Sequence, residues 1–167
     1  MKVKLSGFQT TEIKKCKIIG KSIRCLVVPG EDNPIPAFWT KCFSDGTIAT
    51  LESEPRRINP DVLLGWCGDY NPEDHYFTYV IGVFIPLDAQ TPEGMTAIEI
   101  PTSRFAVATI EGVEPDIFIM AHELTFQKIE EQGLEYDPQR GCEIEWYDDR
   151  FCESEDKRVI DLYVPIK

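Results

Sequence analysis

The sequence predicts an α+β fold built from two tandem strand–helix–strand–strand repeats. A pseudo-twofold relates the repeats, which share an antiparallel sheet and leave a ligand cleft between the halves. Element order recurs at an offset of about 80 residues: Arg24–Gly30 parallels Phe105–Gly112, Pro34 parallels Pro115, and Gly65–Tyr70 parallels Glu143–Asp148. Hydrophobic residues make up 43% of the 167-residue chain, including three Trp, six Tyr and nine Phe, enough for a substantial core. Neither half is large enough to bury its own sheet face, so residues 1–167 are expected to pack as one domain, with halves at 13–86 and 96–167.

Residues 1–12 are a polar lead-in with no assigned structure. The Ile-, Val-, Leu- and Cys-rich run from Ile13 to Val28 predicts a strand that bends or bulges at Gly20 and stops at Pro29–Gly30. Asn33 and Pro34 supply an N-cap and a first helical residue. Ile35, Phe38, Trp39 and Cys42 then follow at helical spacing up to Asp45–Gly46. Thr47–Leu51 reads as a short strand. Residues 62–68 and 75–85 form a hairpin across the turn Asn71–Asp74.

The second half starts with a strand over 97–110, bent near Pro101. A helix runs from Pro115 to about Gln132, with Ile117, Met120, Ala121 and Leu124 on one stripe and Gly133 as its stop. A second hairpin pairs 142–148 with 157–166. On its first strand, alternation places Glu143, Glu145 and Tyr147 on one face and Ile144 and Trp146 on the other.

Seventeen basic against 29 acidic residues give a net charge of −12 and a pI near 4.6. Such a surface repels a phosphate backbone, so direct nucleic-acid binding is disfavoured, while cationic ligands are attracted. It also suits a protein partner, which the residues do not identify. The six cysteines form no CxxC pair and lie mostly in apolar runs, and residues 1–5 lead into polar residues rather than an apolar signal stretch. Reduced thiols in a cytoplasmic protein are therefore expected, without a membrane span.

Metal chemistry finds no support: the two histidines, His75 and His122, are far apart, and the cysteines lack ligand spacing. Both histidines read as structural or solvated. No nucleophile elbow, phosphate loop or dinucleotide fingerprint is present, so no metal and no cofactor are expected. What remains is aromatic residues near acids. Trp66, Tyr70, Tyr79, Trp146 and Tyr147 flank turns and acids, where rings can accept a ligand as well as fill a core, and Trp39 lies on the first helix.

Glu145, Tyr147, Asp148, Asp149 and Phe151, set in this doubled element order, resemble the closing signature of the GyrI-like small-molecule-binding domains. These are related to the effector-binding domains of multidrug-responsive regulators. The resemblance covers residues 13–167. It implies a pocket for amphipathic, often cationic aromatic compounds, with Glu145 as counter-charge and Tyr147 beside it. Trp39, Trp66, Tyr79 and Tyr70 are candidate walls by their place in the repeat, and Glu143 shares Glu145's face as a rival acid. No DNA-binding domain flanks the repeat, so a stand-alone binder is expected. The alternative is a hydrolase that opens cyclopropane rings of DNA-alkylating natural products, with the same glutamate activating water.

Overall fold

A computed structural model describes residues 2–26, 32–141 and 143–167. The expected strand end at Val27–Val28, its Pro29–Gly30 stop and Cys142 lie outside them. The first half contains β1 (Lys4–Ile13), β2 (Cys16–Leu26), α1 (Ile35–Ser44), α2 (Thr47–Glu52), β3 (Leu63–Asn71) and β4 (Tyr76–Ile85). The second contains β5 (Thr96–Ile100), β6 (Ser103–Gly112), α3 (Asp116–Glu131), β7 (Glu143–Tyr147), α4 (Asp149–Cys152) and β8 (Arg158–Ile166).

The strands form one eight-stranded sheet in the order β1-β6-β8-β7-β3-β4-β2-β5, with every neighbouring pair antiparallel. The halves meet at β3 and β7 in the middle. Each half also sends its first strand to the other's outer edge: β1 pairs with β6, and β5 with β2. The turns that follow these edge strands touch, because the Lys15 backbone N–H donates to Thr102 Oγ1 at 3.0 Å.

Helices α1 and α3 pack on one face. Phe38 and Cys42 of α1 bury against Cys67, Tyr79 and Ile81, while Ile117 and Ala121 of α3 bury against Ala108, Ile160 and Leu162. Fully burying each large apolar side chain contributes about 1.5–3 kcal/mol. The opposite face carries a separate core of Leu64, Trp66, Val80, Phe84 and Ile144. Strand alternation therefore makes three clusters, and the seam between the two helix-side clusters runs along β3 and β7.

Several elements differ from expectation for local reasons. The polar lead-in is β1, a ten-residue edge strand whose alternate residues face solvent. The run from Ile13 to Val28 is interrupted at Lys14–Lys15, where β1 turns into β2, and Gly20 is neither bend nor bulge. Its register is continuous, opposite Gly82, and a side chain there would collide with the backbone of Ile81. The strand expected over 97–110 is likewise two strands, β5 and β6, separated at Pro101–Thr102.

Thr47–Leu51 is helical, not extended. Asp45 accepts from the Thr47 backbone N–H at 3.0 Å and from its hydroxyl at 2.6 Å, and Gly46 takes φ 87°. These local side-chain hydrogen bonds, ahead of the Gly46 N-cap, outweigh the β-branched composition. α1 and α3 lie where expected, and Gly133 adopts φ 68° just past α3. The N-cap of α1 is Pro34 rather than Asn33, whose Oδ1 accepts from the Ile35 N–H at 3.1 Å. α4 was not expected; there Asp148 caps the chain by accepting from the Arg150 N–H.

Candidate functional site

Glu145 sits on β7 at the centre of the sheet, facing the helices. Its cross-strand neighbours are Gly65 on β3 and Leu162 on β8. Gly65 leaves the space that the carboxylate uses: a Cβ there would overlap Glu145 Oε1 and the Tyr79 hydroxyl. Tyr79, on β4, is 1% exposed and aims its hydroxyl over this gap.

A directed chain of hydrogen bonds ends on the acid. Trp39 Nε1 on α1 donates to the Tyr79 hydroxyl at 3.0 Å, and that hydroxyl donates to Glu145 Oε1 at 2.5 Å. Tyr147 follows two residues after Glu145, on the same face, and also hydrogen-bonds to it. Its ring meets Trp39 edge-on at 5.2 Å and Phe151 at 5.1 Å. Three aromatic residues from α1, β4 and β7 thus enclose one carboxylate.

The electrostatics follow from this enclosure. Glu145 retains part of its surface toward solvent, yet the surrounding protein atoms displace enough water to push its pKa up to about 7. The hydrogen bond from Tyr79 opposes the rise, the charge of Glu143 adds to it, and the hydrogen bond from Tyr147 opposes it. Burial, and then the charge of Glu145, hold both phenols protonated well above their ordinary range, so they remain donors. Among the described residues, the groups acting on Glu145 are Tyr79, Glu143 and Tyr147, and none is basic.

Glu143, on the same face, is already engaged. His122 Nδ1 on α3 lies 2.8 Å from its Oε2, and the hydrogen bond with Glu143 raises the His122 pKa. His122 stacks on Phe126 at 4.3 Å. Of the two acids on this strand face, Glu143 has a basic partner.

The structure brings Trp39, Tyr79, Glu145 and Tyr147 together and places two other candidates elsewhere. Trp66 points to the opposite face, where it is 6% exposed among Leu64, Val80 and Ile144. It shares their strand parity, so it cannot line the helix-side cleft. Tyr70 lies within the register shift between Gly68 and Asn71 and is 52% exposed, its hydroxyl 3.0 Å from His75 Nδ1. Gly65 and His122 were not singled out from the sequence. The repeat alignment sets Gly65 against Glu143, and only the β3–β7 register brings it opposite Glu145; His122 carries no local signal.

Cys16, Cys25 and Cys42 are buried free thiols, and Cys152 is an exposed one. Among the described residues, no cluster of His, Cys, Asp and Glu is arranged to hold a metal ion, and no helix is long and apolar enough to cross a membrane.

An eight-stranded antiparallel sheet with helices on one face thus frames an acid among aromatic hydroxyls at its centre. The chain belongs to the Cass2 family of integron-associated effector binding proteins, whose model matches residues 11–166. It is 34% identical over 110 residues to the transcriptional regulator BrlR of Pseudomonas aeruginosa, a match spanning 65% of this chain but 39% of that protein. The fold is shared with SAV2435 bound to tetraphenylphosphonium, at TM-score 0.74 and 19% identity over 96% of this chain and 94% of the other. It is also shared with the EcmrR C-terminal domain, at TM-score 0.63 and 15% identity over 96% and 97%. An integron cassette protein of Vibrio cholerae aligns over 99% of both chains at TM-score 0.60 and 14% identity. The chain is thus an effector-binding domain for small molecules.

Proposed function

We propose that the chain binds bulky, amphipathic aromatic cations, with Glu145 as counter-charge and Trp39, Tyr79 and Tyr147 as the surrounding wall. The observation that carries this reading is a desolvated carboxylate without a basic partner among the described residues. Enclosed acids normally find a cation or remain neutral. A cationic ligand would supply the missing charge, and the rings would supply stacking and cation–π attraction. The relative SAV2435 was solved with tetraphenylphosphonium, a ligand of this chemistry. The Glu145-to-Phe151 motif supports the finer kinship with GyrI-like multidrug-binding domains. The buried free thiols of Cys16, Cys25 and Cys42 support a reducing, cytoplasmic setting.

The hydrolytic alternative draws less support. The family model that matches the chain describes effector binding proteins, not hydrolases.

Calorimetric titration with tetraphenylphosphonium, alongside neutral triphenylphosphine oxide, tests the proposal. Glu145→Gln should weaken phosphonium binding by about tenfold or more while leaving the weak neutral ligand unaffected. Equal phosphonium affinity in the two proteins would remove Glu145 from the counter-charge role.

A further inference from the structure

On the sheet face away from the helices lies a second pocket, of about 340 Å³. That volume lies within the range of small-molecule sites. Phe84, Trp146 and Tyr163 contribute its aromatic surface, and Lys14 and Lys15 of the β1–β2 turn contribute its charge. Trp146 follows Glu145 in sequence, so alternation along β7 puts the two sites on opposite faces.

The aromatic floor is held in place. Trp146 and Tyr163 stack at 5.1 Å with ring planes 18° apart, and Phe84 lies 6.4 Å from Trp146. Trp146 Nε1 donates to Asp148 Oδ2 at 3.2 Å. Arg150 clamps Asp148 at 2.8 Å and reaches Asp161 at 2.7 Å, and Thr109 donates to Asp161 at 2.7 Å. The indole is thereby fixed in orientation, and the two acids nearest it are paired. Trp66, on the same sheet face, packs against Gly68 and is 6% exposed, whereas Trp146 remains half-buried.

The polar groups at this pocket are unspent. Among the described residues, neither lysine side chain has an ion-pair partner, although the chain carries net charge −12. The Tyr163 hydroxyl makes no hydrogen bond with any described residue. Glu12 is the single acid of the lining. The turn bearing the lysines is anchored by the Lys15 N–H to Thr102 contact. A rigid ring stack, a free hydroxyl and two cations call for a flat ring bearing an anionic group.

We propose that this back-face pocket binds planar aromatic carboxylates, the ring lying against Trp146 and Tyr163 and the carboxylate meeting Lys14 and Lys15. This inference is independent of the proposal for Glu145. The test is a titration of the isotope-labelled full chain with 2-naphthoate, following by NMR the Trp146 indole N–H and the backbone amides of Lys14, Lys15 and Cys16. Saturable shifts at these positions are expected, unchanged in Glu145→Gln. The Lys14→Glu, Lys15→Glu double variant should bind about tenfold more weakly, as should wild type with the neutral 2-naphthylmethanol. Both lysines are exposed, so the variant leaves the core intact. The proposal is overturned if no saturable shift occurs, if the shifts centre on Tyr79 and Tyr147, or if the double variant or the alcohol matches the wild-type naphthoate affinity.

Discussion

Gly65 lies directly across the β3–β7 ladder from Glu145, and the carboxylate occupies the space that a Gly65 side chain would take. The pair sits at the middle of the sheet, where β3 and β7 meet. One half contributes the acid and the other the room for it.

The first prediction concerns that room. A Cβ at Gly65 would overlap the Tyr79 hydroxyl, its ring carbon and Glu145 Oε1. Tyr79 is fully buried and cannot swing away. Gly65→Ala should therefore lower stability by about 1–3 kcal/mol in urea unfolding, the usual cost of overpacking. It should also abolish phosphonium binding. A stable variant with wild-type affinity would mean that the gap is incidental.

The second concerns the cost of the acid. Glu145 has a folded pKa of about 7 against an ordinary 4.5. The folded state therefore holds this proton more tightly than the unfolded state does. The associated stability is fully present below pH 4.5 and is lost as the pH rises through 7. Ionised Glu145 then costs on the order of 3 kcal/mol. Glu145→Gln, which never ionises, should gain stability over wild type at pH 8 and little at pH 4. Melting curves of both proteins across that range measure it, and a pH-independent difference would contradict the assigned shift.

Alternation along β7 was legible from the residues: it separated Glu145 and Tyr147 from Ile144 and Trp146. The repeat offset placed Trp39 and Tyr79 near the same cleft. Trp66 does not line this cleft because place in the repeat says nothing of strand parity, and parity sets it in line with Leu64 on the buried back face. β1 went unread because an edge strand with solvent on alternate residues has the polarity of a loop. α2 went unread because its β-branched residues mimic a strand until the Asp45–Thr47 hydrogen bonds are seen. His122 reaches Glu143 only through the packing of α3 on the sheet, a relation that no local spacing encodes.

The third prediction separates burial from hydrogen bonding. The hydrogen bond from Tyr79 lowers the Glu145 pKa below what burial alone would give. Tyr79→Phe removes that donor and leaves Trp39 Nε1 without its acceptor. Stability should fall by about 1–2 kcal/mol. The titration midpoint of the Glu145 carboxyl carbon, followed by NMR, should rise above that of wild type. An unchanged or lower midpoint would show that the 2.5 Å contact does not stabilise the charged acid.

Proton release on ligand binding tests the counter-charge most directly. If a cation binds ionised Glu145, it must displace the proton that the free protein carries below a pKa of about 7. Calorimetry with tetraphenylphosphonium at pH 6, in buffers of different ionisation enthalpy, should report release approaching one proton per ligand, with affinity falling as the pH is lowered further. Glu145→Gln should release none. Wild-type binding with no proton release and no pH dependence between 5 and 8 would contradict the account.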